Sequence, residues 1–182
     1  MPKSAREKEI ETFTIQFTYD TQRIEGSTLT LRETADLLEK GITPKGKPIH
    51  DIKEAEAHRK IFLEMLNLKE DLSLPFEQTK PDVVGKIRNY RVRISGSKFQ
   101  PPYPAEIYPI LRDFIKWYQK SKNVLHPVEL AGLVHFKFVT IHPFADGNGR
   151  ISRLMMNFVL QKFECPFLNI PYKNRNSYYT MR

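Results

Sequence analysis

Twelve consecutive residues of this 182-residue chain could do chemistry together: His142-Pro143-Phe144-Ala145-Asp146-Gly147-Asn148-Gly149-Arg150-Ile151-Ser152-Arg153. A histidine is the usual side chain for taking a proton from an attacking hydroxyl. A carboxylate four residues on supplies the hard oxygen donor that Mg²⁺ prefers, beside whatever phosphates that ion would neutralise. Gly147-Asn148-Gly149 leads into a helix, whose first-turn N–H groups lack internal acceptors and carry the positive end of the dipole, so an anion can approach closely. Arg150 and Arg153, three apart, share one face of that helix, and each guanidinium can grip phosphate oxygens with two bonds. The order suits a polyphosphate substrate. Taken singly, each feature is ordinary: a His beside Pro is structural, an Asp before Gly makes a turn, and Gly-Asn-Gly occurs in many loops. The case rests on their conjunction.

That conjunction resembles the signature of the Fic (Fido) family, His-x-Phe-x-Asp/Glu-Gly-Asn-Gly-Arg-x-x-Arg, at every fixed position. The resemblance implies an all-α fold with a small β-hairpin flap and an enzyme that transfers AMP from ATP to a Ser, Thr or Tyr hydroxyl of a target protein. On that analogy His142 is the base, Asp146 the Mg²⁺ ligand, Gly147, Asn148 and Gly149 the anion cradle, Arg150 and Arg153 the phosphate clamps and Phe144 a buried anchor. Family members that phosphorylate instead have a degraded Gly-Asn-Gly segment, so the intact one here points to AMP. A second stretch, Thr21 to Gly26, is similar to the family's inhibitory motif, Ser/Thr-x-x-x-Glu-Gly/Asn. It implies that Glu25 pairs with Arg153 and takes up space that the ATP γ-phosphate needs. Two other readings stay open: a phosphodiesterase that removes AMP, with Glu25 aligning water, and a noncatalytic nucleotide- or partner-binding module.

The elements that must position these residues follow from periodicity. After the turn, Ile151, Leu154, Met155, Phe158 and Val159 recur at helical spacing, with Arg150, Arg153 and Asn157 on the other side. Before it, Pro127 suits a helix start, and Leu130 to Ile141 leave little polar face, so this helix should be central and buried. Pro143 disfavours helical geometry at His142 and ends it there. His135 lies about two turns upstream, but a His135, His142 and Asp146 metal set matches no ligand spacing, and Pro143 interrupts it. A helix over about 105–120 buries Ile107, Leu111 and Phe114.

Toward the N-terminus, Phe13, Phe17 and Ile24 line one face of a helix that Gly26 closes. A second helix runs from a Thr30 and Glu33 capping box to Gly41, with Leu31, Ala35 and Leu38 as its apolar face. Asp51 with Glu54 caps a third that runs to about Lys69, and His50 and His58 read as surface histidines. Between Leu72 and Pro104 the alternation Arg91-Val92-Arg93-Ile94 before Ser95-Gly96-Ser97 predicts a hairpin. In the resembled family a flap at this place aligns the target by strand addition, with Val92, Ile94, Ser95 and Gly96 as contacts. Tyr178 and Tyr179 match a tyrosine pair that flanks the adenine, where a flat ring can stack. Fic domains usually continue past the point where this sequence stops at Arg182, so an adenine pocket made by this chain alone would be incomplete, or the sequence is part of something longer.

Composition bounds the rest. The length suits a single domain. No apolar run reaches membrane-spanning length and no signal peptide is visible, which gives the expectation of a cytoplasmic protein with no membrane partner. Cys165 is the lone cysteine, so no disulfide framework exists. A net charge of +8 raises nucleic acid as a partner. The densest basic group, Lys86, Arg88, Arg91, Arg93 and Lys98, has Tyr90 and Phe99 among it, but no recognised nucleic-acid-binding pattern accompanies it.

Overall fold

Apolar residues at helical spacing dominate this sequence, and the computed structural model, which describes residues 3–72, 86–94 and 99–180, is correspondingly built of helices. They are α1 (Lys3–Ile24), α2 (Leu31–Lys40), α3 (Ile49–Met65), α4 (Pro104–Ser121), α5 (Pro127–Ile141), α6 (Asn148–Lys162), a 3-10 turn at Tyr172–Asn174, and α7 (Arg175–Thr180). Two compact units result, Met1–Leu68 with Leu168–Arg182, and Lys69–Phe167.

In the first unit α1 packs against α2 and α3. Phe13, Phe17 and Phe62 meet ring to ring at 5.4 to 5.7 Å, and Ile15, Leu29, Leu37, Leu38, Ile52 and Ala55 fill the rest. The capping box at Thr30 and Glu33 forms as expected, and Gly41 ends α2 in the left-handed conformation. Leu37 is buried where the spacing pointed to Leu31, which is 40% exposed. Asp51 does not cap α3. Its Oδ2 instead accepts from both the N–H and the hydroxyl of Thr28, each at 2.7 Å, and so fastens the α1–α2 loop to α3. His58 is not a surface residue either: it is 3% exposed, 2.9 Å from the Thr18 hydroxyl and packed on Phe17. Amphipathic spacing alone does not reveal a polar residue placed on the buried stripe with a partner across the interface.

In the second unit α5 packs on α6 and on α4. Leu130, Val134, Phe138 and Val139 form its inner face, while Val128 and Phe136 are about half exposed, so α5 is buried along one side and not all round. The helix buried almost all round is α6, where Arg153 and Asn157 are as inaccessible as Val159. Beyond α3, Tyr118 of α4 and Lys122, which caps that helix, both donate to Asp71, at 2.6 and 2.7 Å. Of the expected hairpin, 91–94 form no strand among the described residues, and Ser95-Gly96-Ser97 lies outside them. Val92 and Ile94 are half-buried and Arg91 and Arg93 exposed, as alternation predicts. No described helix is long and apolar enough to cross a membrane.

Candidate active site

The site begins where α5 stops. His142 takes a left-handed backbone (φ 51°, ψ 55°), uncommon for a residue with a Cβ, and its N–H donates to the Phe138 carbonyl at 3.1 Å. Its ring Nδ1 lies 3.3 Å from the Val139 carbonyl. A carbonyl can only accept, so this contact is a hydrogen bond when Nδ1 carries the proton, the tautomer that leaves the lone pair on Nε2. The histidine is half-buried, with its ring direction set by the last turn of the helix that precedes it.

Two residues later the chain is pinned again. The Asn148 side chain accepts from the Phe144 N–H at 2.9 Å and donates to the Phe144 carbonyl at 2.8 Å, which closes the loop on itself. Phe144 is half-buried, not deeply anchored, with its ring 6.2 Å from that of Phe138. Gly147, at φ 80°, starts α6, so Asn148, Gly149 and Arg150 are its first turn. Only Gly147 uses a glycine's conformational freedom, since Gly149 is already inside the helix. Asp146 caps nothing beyond its neighbour. Its Oδ1 accepts from the Gly147 N–H at 2.6 Å and its Oδ2 from Arg150 Nη2 at 2.8 Å, with the carboxylate 81% exposed. An exposed carboxylate of this kind fits Mg²⁺ as a single protein ligand, with phosphate and water completing the shell. No cluster of three or more metal-ligating side chains exists among the described residues, which disposes of the His135, His142 and Asp146 set. Further along α6, Arg153 is fully buried and its carbonyl accepts from Asn157 Nδ2 at 3.3 Å.

One residue that sequence reasoning placed in a basic strip belongs here instead. Arg88 is 3% exposed. Its Nε donates to the His142 carbonyl at 2.8 Å, and its N–H to the Pro143 carbonyl at 2.9 Å. Nη1 donates to the Tyr90 carbonyl at 2.9 Å and Nη2 to the Pro102 carbonyl at 2.6 Å. Burial pulls its guanidinium below its ordinary value, yet an arginine starts so far above neutrality that it keeps its charge. Arg91 lies over the Tyr103 ring at 4.0 Å. The described members of the basic group, Lys86, Arg88, Arg91 and Arg93, therefore do not form one outward strip, and Lys98 lies outside the described residues. Nothing in sequence distinguished Arg88 from its neighbours, because the acceptors that single it out are backbone carbonyls.

Glu25, Tyr178 and Tyr179 belong to the first unit. The chain leaves α1 through Glu25 and Gly26 (φ 105°), with the Ser27 N–H donating to the Gln22 carbonyl at 3.0 Å and Gln22 Nε2 to the Glu54 carbonyl at 3.0 Å. Glu25 is exposed on this braced turn. The Tyr179 hydroxyl donates to the Ile24 carbonyl at 3.2 Å, and the Tyr178 ring is 5.6 Å from that of Tyr179. The tyrosine pair and the Glu25 turn, far apart in sequence, are thus neighbours. Ile94 is half-buried in the second unit, and Ser95 lies outside the described residues.

A sequence model of the Fic/DOC family matches residues 53–160, which include the whole loop from His142 to Arg153. The chain belongs to the Fic/DOC family. It is similar to the Protein adenylyltransferase Fic of Drosophila yakuba, 34% identical over 177 residues that cover 90% of this chain and 35% of that protein. The Protein adenylyltransferase Fic of Drosophila grimshawi is also 34% identical, over 183 residues, 90% of this chain and 36% of that protein. The chain therefore spans little more than a third of these relatives. Among solved structures, a Fic-domain signalling protein from Bacteroides thetaiotaomicron superposes with a TM-score of 0.86 at 29% identity, over all of this chain and 75% of that one. A fragment of Fic-1 from C. elegans gives 0.77 at 29% identity, over 99% of this chain and 56% of that one. Fic membership accounts for the helical fold and for the loop at its centre; Glu25, Tyr178 and Tyr179 lie outside the matched span.

Proposed function

We propose that the chain is a protein adenylyltransferase that moves AMP from ATP to a side-chain hydroxyl of a target protein, uses Mg²⁺ through Asp146, and is restrained by Glu25. The observation that carries the reading is the His142 ring, its Nδ1 3.3 Å from the Val139 carbonyl, a contact that suits the tautomer with its lone pair on Nε2, in the loop that leads into α6. The intact twelve-residue motif and relatives named Protein adenylyltransferase Fic support it.

In this reading the target hydroxyl oxygen attacks the α-phosphorus of ATP. A phosphorus–oxygen bond forms to the target, the bond from the α-phosphorus to the bridging oxygen of the β-phosphate breaks, and pyrophosphate departs. The hydroxyl proton passes to His142 Nε2, which returns it to solvent. The α6 first-turn N–H groups, Arg150 and Arg153 hold the phosphates. Mg²⁺, when bound, neutralises charge on the phosphates. Arg150 must exchange its Asp146 partner for phosphate, so the ion pair seen here is a resting arrangement. Val92 and Ile94 align the target segment, and Tyr178 and Tyr179 flank the adenine. Autoinhibition rests on the Glu25 motif.

ATP labelled in either the α- or the γ-position decides among the readings. Label from the α-phosphate on protein supports adenylyl transfer, and γ-label on protein replaces it with a kinase. Release of AMP from a pre-modified protein, without transfer, supports the phosphodiesterase in which Glu25 aligns water. Nucleotide binding with no covalent product leaves the noncatalytic module.

A further inference from the structure

A base acts only if its ring, the helix that carries it and the segment presenting the target hydroxyl share one frame. Three places must be registered: the His142 backbone, Tyr90 at the start of the stretch that holds Val92 and Ile94, and Pro102 just before α4. Arg88 touches all three. Its three kinds of guanidinium nitrogen go to three different carbonyls, His142, Tyr90 and Pro102, at 2.8, 2.9 and 2.6 Å. Its own N–H adds Pro143 at 2.9 Å. All four acceptors are backbone, so the set is read by position and not by side-chain identity.

The chemistry explains why an arginine is used. The His142 carbonyl lies at the C-terminal end of α5, the negative end of the helix dipole, where a cation is favourable. A planar fork with fixed donor directions serves three carbonyls that a single ammonium could not reach together. Burying the charge is costly, and the carbonyl bonds offset that cost only while all are made. The arrangement is therefore cooperative: the fork forms with the His142, Tyr90 and Pro102 backbones in place, or it loses much of its support.

We propose that Arg88 is a positioning residue that registers His142 against Tyr90, which leads into Val92 and Ile94, and against Pro102, locking the left-handed turn that directs the His142 ring. The proposal rests on the reading of His142 as the base. It predicts that losing the fork lets the His142 turn relax, weakens the Nδ1 bond to Val139 and admits the opposite tautomer.

The test uses the whole chain. Nitrogen NMR of ¹⁵N-histidine-labelled protein, without nucleotide, reads the His142 tautomer, assigned by comparison with His142→Ala. In the parent the Nδ1–H form should dominate, and the Arg88 Nε–H should be protected from exchange with water. In Arg88→Lys, which keeps the charge but not the fork, the His142 signals should shift toward the Nε2–H form while the other histidines stay put. In the α-label assay Arg88→Lys should lower kcat roughly 10- to 100-fold, the effect of a small misplacement of a reacting group, with the KM for ATP within about twofold, and KM for the target should rise. An unchanged tautomer in Arg88→Lys, or an unprotected Nε–H in the parent, overturns the proposal. The parent measurement decides even if the variant does not fold. If the parent transfers no AMP while the tautomer shifts in Arg88→Lys, the activity reading fails and the positioning role of Arg88 stands.

Discussion

Two turns of this molecule begin alike and are held differently. At the end of α1 the chain passes through Glu25 into Gly26, and at the end of α5 it passes directly into His142. Both turns need a left-handed residue. Gly26 takes φ 105° with no Cβ in the way, so the geometry is local and nearly free of strain. His142 takes φ 51° with a side chain, at a cost of about 1–2 kcal/mol. That cost is offset by Phe138 at the N–H and Val139 at the ring, both in the last turn of α5, and by Arg88 at the carbonyl from elsewhere in the unit. The tertiary bonds at the α1 turn, Gln22 on the Glu54 carbonyl and Tyr179 on the Ile24 carbonyl, act beside its glycine and not on it. At the α5 turn a tertiary contact, from Arg88, falls on the strained residue itself. A group that must perform proton transfer needs that second kind of support.

The largest test of the contrast is to remove the base. His142→Ala should reduce labelling from α-³²P ATP by about 10²- to 10⁴-fold, the usual worth of a general base, with ATP binding by calorimetry close to that of the parent. Transfer at the parent rate would show that the ring is not the base.

Altering the other turn should act in the opposite direction. If Glu25 restrains the site through Arg153, Glu25→Gly should raise self-labelling roughly 5- to 150-fold, the span of a ~1–3 kcal/mol coupling. Adding Arg153→Ala should abolish the gain. Labelling that stays level in a folded Glu25→Gly protein would make Glu25 an ordinary helix-end residue and end the functional side of the comparison.

Asn148 sharpens the structural side, because it braces the α5–α6 loop with a side chain that is 2% exposed. Asn148→Ala removes two bonds and strands both Phe144 backbone groups, which should cost about 2 kcal/mol in urea unfolding. It should also slow transfer. A change below a few tenths of a kcal/mol would mean that the loop is held elsewhere.

The smallest expected effect is a pH dependence at Asp51, which anchors the exit from the Glu25 turn. Burial works against its charge, but the backbone and hydroxyl bonds from Thr28, with His50 and Ser27, outweigh it and hold the carboxyl below its usual range. A depressed carboxyl contributes stability that is whole above its unfolded value, near pH ~3.9, and is lost as pH falls through the folded value. The urea midpoint of the parent should therefore drop between pH 5 and pH 3 by more than that of Asp51→Asn. Equal drops would remove Asp51 from the brace.

Much of this was legible before any coordinates. The spacing in α1, α4 and α6 places Phe17, Ile107, Phe114, Leu154, Phe158 and Val159 in the core, and the Thr30 and Glu33 box marks the start of α2. Such features depend on residues within one or two turns of each other, and a helix repeats them faithfully. The sequence also sets His142, Asp146, Gly147, Asn148 and Arg150 in one continuous stretch whose chemistry is local. Tertiary structure alone decided the rest. Asp51 reads as a helix cap until Thr28 arrives to claim it, and His58 as a surface residue until Thr18 and Phe17 cover it. Arg88 reads as one basic residue among five, and becomes part of the site only when the carbonyls of Tyr90, Pro102 and His142 converge on it. A backbone carbonyl has no letter in the sequence, so a contact made to it can be seen only in the fold.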